Sequence, residues 1–299
     1  MKRVLITGAS SYIGYKLSQH LAAHGTEVHA VVRPQTDPAR LPTCLSAANL
    51  HSHDGSTESL VDIVARAKPD VTFHLAGLYL REVKPEQVLA LIASNYTFGI
   101  QLLEALRLSA VRPAIVYAGT YSQYFMSETP RPLNLYSALK QAFSEALSLY
   151  LDQYGVRTIE LVLFDNYGID DWRPKLIRAI TDAARDGTPL PLPDEDVTID
   201  LMHIDDVIAA LAHAAQLLER DQAAILSKTF AASYGTRYRL SELVALFESV
   251  TGRKVVTRPG AYKLPERRIS VPWDGPRLPG WEPKIKLEDG MRNYFAART

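Results

Sequence analysis

Tyr136 and Lys140 stand four residues apart in Tyr136-Ser137-Ala138-Leu139-Lys140. On a helix, positions i and i+4 share a face, so a phenol and an ammonium there point into one space. A neighbouring cation lowers a phenol's pKa from about 10 toward working pH, which makes Tyr136 a candidate proton donor to a developing alkoxide. A Tyr and a Lys recur at this spacing by chance, and two surface residues explain the pair equally well in isolation. Its weight comes from what precedes it. Ala114 to Ala118 is a strand-like apolar run, and Gly119-Thr120-Tyr121-Ser122-Gln123-Tyr124 lies at its C-terminal end. A hydroxyl at Thr120 could steady the oxygen of a carbonyl.

A second group of residues could hold a phosphate. Val4, Leu5 and Ile6 form a short apolar run, as a buried parallel strand does. Thr7-Gly8-Ala9-Ser10-Ser11-Tyr12-Ile13-Gly14 follows, and Ile13, Leu17 and Leu21 then recur at helical spacing. A strand, a glycine turn and a helix make a phosphate cradle: Gly8 permits the tight turn, and the helix N-terminus adds partial positive charge. Gly8, Ser10, Ser11, Tyr12, Ile13 and Gly14 are the residues expected in that cradle. An ordinary strand-to-helix turn also uses glycine, but the place of this one at the head of an alternating chain favours a dinucleotide.

These groups need a sheet to position them. The first 165 residues alternate apolar runs with helical patterns, which predicts an α/β fold, a Rossmann-type doubly wound parallel sheet covered on both faces. Six strands are expected: Val4 onward, Glu27 to Val32, Asn49 to His53, Asp70 to Leu75, Ala114 to Ala118 and Arg157 to Phe164. A long helix is expected from Pro85 to about Ser109. Past residue 165 the prolines Pro174, Pro189, Pro191 and Pro193 break the pattern. The expected division is a dinucleotide-binding domain over 1–165 plus about 200–225, and a smaller α/β substrate domain over 166–199 and 226–299. In dinucleotide folds a carboxylate about 20 residues past the glycine loop binds the ribose 2′-hydroxyl. Arg33 occupies that place here, with no acid until Asp37. A guanidinium suits a 2′-phosphate, so NADP(H) is favoured, with NAD(H) as the alternative.

The order of Gly8/Gly14, Asp54, His74-Leu75-Ala76, Asn95, Thr120 and Tyr136/Lys140 resembles the extended short-chain dehydrogenases/reductases, the NAD-dependent epimerase/dehydratase family. The resemblance covers essentially the whole chain. It implies catalytic roles for Thr120, Tyr136 and Lys140. It implies that Asp54, followed by Gly55, receives the adenine amino group. Leu75, Ala76 and Gly77 would let the backbone pass the ribose and phosphates, Asn95 would brace the site, and Phe164 would stand with the cofactor. Asp165-Asn166-Tyr167-Gly168 is similar to the family's Asn-x-Tyr-Gly, so Asn166, with Thr120, Tyr121, Tyr124, Lys175 and Arg268, is expected to bind substrate. Thr198 to Val207 resembles the family's Val-His-Val-Asp-Asp-Val, where His203 and the acids hold the fold. Departures are plain: Ser11 replaces the middle glycine, Leu139 replaces the Ser before the lysine, and the span from Thr120 to Tyr136 is short. The segment from Leu163 to Gly168, with Arg173-Pro174-Lys175, looks like the CDP-abequose/paratose synthase branch of 4-ketoreductases. Dehydratases of the family carry Thr-Asp-Glu, whereas this chain has Thr120-Tyr121-Ser122.

The resemblance therefore implies NADPH-dependent reduction of the 4-keto group of a CDP- or dTDP-linked deoxyhexose. A nucleotide-sugar 4-epimerase holding NAD and a non-catalytic dinucleotide-binding regulator are the alternatives. A homodimer through the helices near Pro85–Ser109 and Tyr136–Tyr154 is expected from the family. Composition agrees with a globular enzyme: 47% of the residues are hydrophobic and 22% charged, and the net charge is zero. No basic block points to nucleic acid, and no apolar run approaches the ~18–20 residues of a membrane span. Cys44 is the sole cysteine, so no internal disulfide forms and a cytoplasmic setting is expected. His51 and His53 lack the further ligands a metal would need, so no metal is expected.

Overall fold

The structure, a computed structural model, describes residues 1–80, 82–109, 114–220 and 228–298. Its centre is a seven-stranded sheet, all of whose pairings are parallel. The strands are β1 (Arg3–Thr7), β2 (Glu27–Val32), β3 (Leu50–Ser52), β4 (Val71–His74), β5 (Ala114–Thr120), β6 (Arg157–Leu163) and β10 (Lys228–Ala232). Their spatial order is β10-β6-β5-β4-β1-β2-β3. The chain winds outward from β1 through β2 to β3, then crosses back to β4 and winds the other way. The reversal lies between β1 and β4, where open α/β sheets leave a crevice beyond the strand ends. Continuous apolar runs make this possible: Val4, Leu5, Ile6, Val71, Phe73, Ile115, Val116, Ile159 and Leu161 are completely buried.

Helices cover both faces. α1 (Tyr12–Ala23) and α7 (Ile204–Glu219) share one core with Leu17, Leu21, Val207 and Leu211. α2 (Thr57–Ala67), α4 (Phe98–Arg107) and α5 (Leu135–Tyr154) form the other, around Leu60, Leu102, Phe143 and Leu147. A smaller layer holds β7 (Asp165–Tyr167), β9 (Thr198–His203) and β11 (Arg237–Arg239) in one sheet, and β8 (Leu190–Pro193) with β12 (Thr257–Tyr262) in another. α6 (Leu176–Asp186), α8 (Leu240–Thr251) and α9 (Leu287–Ala296) pack around Tyr167, Ile180, Leu243, Phe247 and Met291. His203 caps α7 by accepting the Asp205 N–H at 3.2 Å, and Asp206 accepts the N–H groups of Lys284 and Ile285 at 2.9 and 3.0 Å. That motif holds the fold, as expected.

Two sequence expectations change. Lys228–Ala232, expected in the smaller domain, pairs with β6 as the edge strand of the large sheet. The expected boundary near residue 225 falls within 221–227, outside the described residues. The helix from Pro85 is not uniform: α3 (Val88–Ile92) and α4 flank a π-helical turn over Ala93–Thr97. Pro85–Arg107 is also long and apolar enough, by length and composition, to cross a membrane, with mean hydropathy 1.3, and it is the one such helix among the described residues. Its apolar character serves packing at least in part, since Leu91, Leu102, Leu103 and Leu106 are buried.

Gly14 packs α1 directly on the glycine turn: a Cβ there would lie 2.2 Å from the carbonyl oxygen of Gly8. Gly14→Ala is therefore expected to lower unfolding free energy by about 1–3 kcal/mol, as overpacking of a tight site does, in urea denaturation.

Candidate active site

The glycine turn is built by close backbone contact. Gly8 has φ +78°, and a Cβ on it would meet the Ala76 nitrogen at 2.8 Å. The loop after β4 lies directly against it. Thr7 fastens the two: its Oγ1 meets Nδ1 of His74 at 2.8 Å and accepts the N–H of Ala76 at 3.2 Å. Burial, followed by the nearby Lys140 ammonium, pushes the His74 imidazole down to about 3, so it stays neutral. Ser11, in place of a glycine, caps α1 by accepting the Gly14 N–H at 3.1 Å. Ser10 and Ile13 flank it, half-buried. This cradle has the backbone space and helix N-terminus that a pyrophosphate requires. Tyr12 differs from expectation. Its side chain is buried and its hydroxyl donates to the Ile169 carbonyl at 2.8 Å, tying α1 to the loop after β7.

Arg33 follows β2 with an exposed side chain and no ion pair among the described residues, as a 2′-phosphate site would need. Asp37, the next acid, accepts the Ala39 N–H at 2.9 Å. Asp54 is exposed beyond β3, and Gly55 after it has φ +101°. Hydrogen bonds from the Ser56 hydroxyl and N–H hold the Asp54 carboxyl below its usual range. Asn95 is buried in the π turn and its amide is committed: it accepts from Leu78 N–H and donates to the carbonyls of Leu78 and Leu91. It shapes the loop holding Leu75, Ala76 and Gly77 rather than offering itself to a ligand.

Thr120 ends β5, and Tyr136 opens α5. Leu133 N–H donates to the Ser122 carbonyl at 2.9 Å, which draws the start of α5 to the turn after Thr120. Asn134 caps that helix through the Ser137 N–H at 3.0 Å. One turn on, Lys140 is buried with its ammonium 4.3 Å from the centre of the Tyr117 ring. A Cβ built on Gly77 would lie 4.0 Å from Lys140 Nζ, so the ammonium sits beneath the loop that abuts the glycine turn. The expected lowering of the Tyr136 phenol by Lys140 is not found. Burial, with Tyr79 beside it, raises Tyr136 to about 12. The shared burial is the reason: it holds the phenol neutral and also pushes Lys140 down to about 8. Tyr136 thus keeps its proton across the neutral range, as a donor should.

Two contiguous cavities, each of about 220 Å³, are present: one lies within the smaller layer, and the other adjoins Tyr121 and Phe164 beyond the ends of β5 and β6. Both are lined by Asp165, Val197, Ile199 and Leu264. Tyr121, Lys175 and Arg268, expected to bind substrate, line one or the other. Asn166 borders one, but its buried side chain accepts from Arg173 at 2.7 Å and donates to the Phe164 carbonyl at 3.1 Å. Alternation along β7 explains it: Asp165, one residue earlier, bonds the Tyr121 hydroxyl at 3.1 Å and Lys175 at 3.4 Å. Tyr124 is buried and stacks on Trp273 at 3.8 Å, so it serves packing. Phe164 stacks on Tyr121 at 5.3 Å and borders the second cavity. Arg268 is paired with Glu195. Among the described residues no group of three or more potential metal ligands occurs. Sequence reasoning missed Thr7, Gln123, Glu160 and Asp165; of these Thr7, beside Gly8, and Asp165, two residues before Tyr167 where Asn-x-Tyr-Gly has its Asn, carried a local signal.

Residues 4–226 match the model of the NAD dependent epimerase/dehydratase family. A CDP-abequose synthase of Yersinia pseudotuberculosis is 24% identical over 88% of this chain and 90% of that protein. A UDP-glucose 4-epimerase of Mycolicibacterium smegmatis is 28% identical over 71% of this chain and 72% of its own. Among solved structures, MoeE5 in complex with UDP-glucuronic acid and NAD is 26% identical, with a TM-score of 0.78 over 99% of this chain and 98% of that one. The UDP-glucose 4-epimerase of Thermus thermophilus, 22% identical with a TM-score of 0.78 over 99% of this chain and all of its own, shares the fold.

Two outcomes test the site. Tyr136→Phe is expected to lower kcat by about 100-fold or more while dinucleotide binding persists, measured by turnover and by nicotinamide fluorescence titration. In the free protein, kcat/KM is expected to fall as pH rises through about 8, where Lys140 loses its proton. A profile level through pH 8 would remove Lys140 from the reacting group.

Proposed function

The chain belongs to the NAD dependent epimerase/dehydratase family, and on that premise we propose that it reduces the 4-keto group of a nucleotide-linked 6-deoxy or dideoxy hexose with NADPH. The observation that carries the choice of cofactor is Arg33: an exposed guanidinium past the end of β2, with the nearest following acid, Asp37, engaged by Ala39. When bound, the dinucleotide supplies the hydride. Tyr136 delivers the proton from its hydroxyl to the carbonyl oxygen, and Thr120 steadies that oxygen by hydrogen bonding. Lys140 adds positive charge where an alkoxide would develop and is near enough to Gly77 to hold a ribose hydroxyl. The ketone gains one hydride and one proton and leaves as an alcohol.

Several features support a nucleotide sugar. One cavity is lined by Tyr121, which directly follows Thr120, and the other continues into the smaller layer, which suits a long substrate reaching from the reacting carbonyl. Lys175 and Arg268 stand at their walls and suit a diphosphate. The likeness to a CDP-abequose synthase supports a CDP-linked substrate. Thr120-Tyr121-Ser122 lacks the paired acids of a dehydratase. The likeness to UDP-sugar 4-epimerases, and to MoeE5 with NAD bound, favours a second reading: a nucleotide-sugar 4-epimerase that retains and recycles NAD. We also propose a homodimer through the helices at Pro85–Arg107 and Leu135–Tyr154, which expose Leu89, Leu135, Leu149 and Tyr154.

The test is to supply CDP-, dTDP- and UDP-linked 4-keto sugars with NADPH or NADH and follow nicotinamide absorbance. Stoichiometric NADPH consumption is expected. Firmly bound NAD, with epimerisation in the absence of added NADPH, would replace the reductase reading by the second one. Arg33→Ala is expected to raise KM for NADPH by about 10- to 100-fold and leave KM for NADH within twofold, the value of one charge-assisted contact.

A further inference from the structure

Glu160 is the only acid in β6, and it is buried in an inner strand of the sheet. An ionised carboxylate is costly to bury without partners. Its surroundings are shaped to receive it. A Cβ on Gly119 would come within 2.4 Å of Glu160 Oε1, so the neighbouring strand leaves the carboxylate its space. Gln123 Nε2 donates to Oε1 at 3.0 Å, Ser144 Oγ donates to Oε1 at 2.8 Å, and Thr229 Oγ1 donates to Oε2 at 3.1 Å. Burial raises its pKa, while these three donors and the Lys140 ammonium oppose the rise.

Two consequences reach the reacting groups. The Gln123 amide points Nε2 at the carboxylate, which turns its Oε1 toward the N–H of Thr120, accepted at 2.7 Å. The opposite amide orientation would set oxygen against carboxylate and N–H against N–H. The second consequence is electrostatic. Lys140 Nζ is faced by His74 from β4, Tyr117 from β5 and Glu160 from β6. His74 is neutral at working pH and the Tyr117 phenol stays protonated, so Glu160 is the one group of the three that can carry a negative charge.

We propose that Glu160 is a positioning residue of this site: its carboxylate orients Gln123 and through it the backbone of Thr120, and its charge sustains the ammonium of Lys140. The proposal rests on Thr120 and Lys140 serving the reaction described above. It extends the site one layer inward, to a buried group that touches neither substrate nor cofactor.

The experiment uses the full chain and two variants, Glu160→Gln and Gln123→Met. Lysine side-chain NMR follows the titration of Lys140, assigned by its absence in Lys140→Met, and needs no substrate. In the parent, burial is expected to bring the Lys140 titration down to about 8. In Glu160→Gln that titration is expected to move down by about one unit, a tenfold change in the ammonium-to-amine ratio, and the alkaline limb of the pH–rate profile moves with it. kcat is expected to fall about tenfold with KM for NADPH within twofold. Gln123→Met is expected to lower kcat while Lys140 titrates as in the parent. An unmoved Lys140 titration with unchanged kcat in Glu160→Gln, even at a lower Tm, overturns the proposal. If that variant does not fold, full kcat in Gln123→Met overturns it. A parent that reduces no ketone, paired with a shifted Lys140 in Glu160→Gln, would sink the ketoreductase reading and leave the electrostatic role standing.

Discussion

Three stretches of backbone meet at the end of β1, and their contact governs the site. Gly8 is pressed between the loop at Leu75–Ala76 and the first turn of α1 at Gly14, and neither glycine has room for a side chain. The contact brings the helix N-terminus, the strand crossing at β1 and β4, and the loop above Lys140 into one small volume. Thr7 stitches the strand to that loop through His74 and Ala76. Asn95 stitches the other end through Leu78, and the π turn sets it there. The crevice of a doubly wound sheet is a topological consequence, but its shape here depends on these few bonds.

Beneath the crevice lies a buried polar cluster where an apolar core would be more stable. Lys140, Glu160, His74 and Gln123 are each buried, and each is bonded or placed so that the others restrain it. Desolvation pushes the charges toward neutrality, and hydrogen bonds and mutual attraction push back. Such opposed shifts are a mark of functional sites, where groups must be held in protonation states that water would not choose. Tyr136 keeps its proton for the same reason that Lys140 holds its own weakly: burial, partial for the phenol and full for the ammonium, disfavours the charged form.

The smaller layer is fastened to the crevice by more than the sheet ends. Arg267 donates to the carbonyls of Pro132 and Leu133, just before α5, and its guanidinium lies 4.2 Å from the Phe125 ring centre. Trp273 stacks on Tyr124 and donates to the Glu128 carbonyl. The segment carrying Arg268 and Leu264 on the cavity wall is thereby bound to the loop between Thr120 and Tyr136. The cavities and the loop between Thr120 and Tyr136 therefore share one scaffold.

The sequence by itself determined the parallel sheet, the glycine turn and the helical pairing of Tyr136 with Lys140. These follow from local information: uninterrupted apolar runs, residues without side chains where the chain must turn, and the pitch of a helix. It located Arg33 by its distance along the chain from the glycine loop, and Asp54 by the family resemblance. Tertiary structure decided the rest. Asp165 rather than Asn166 bonds Lys175 at the cavity wall, while the Asn166 amide is held by Arg173 and the Phe164 carbonyl, because strand alternation is read only once one face is known. Tyr124 and Phe164 went to packing when Trp273 and Tyr121 covered them. The raised phenol of Tyr136 and the buried Glu160 depend on desolvation and on partners 15 or more residues away in sequence, and no pattern along the chain encodes how much water a folded neighbourhood excludes.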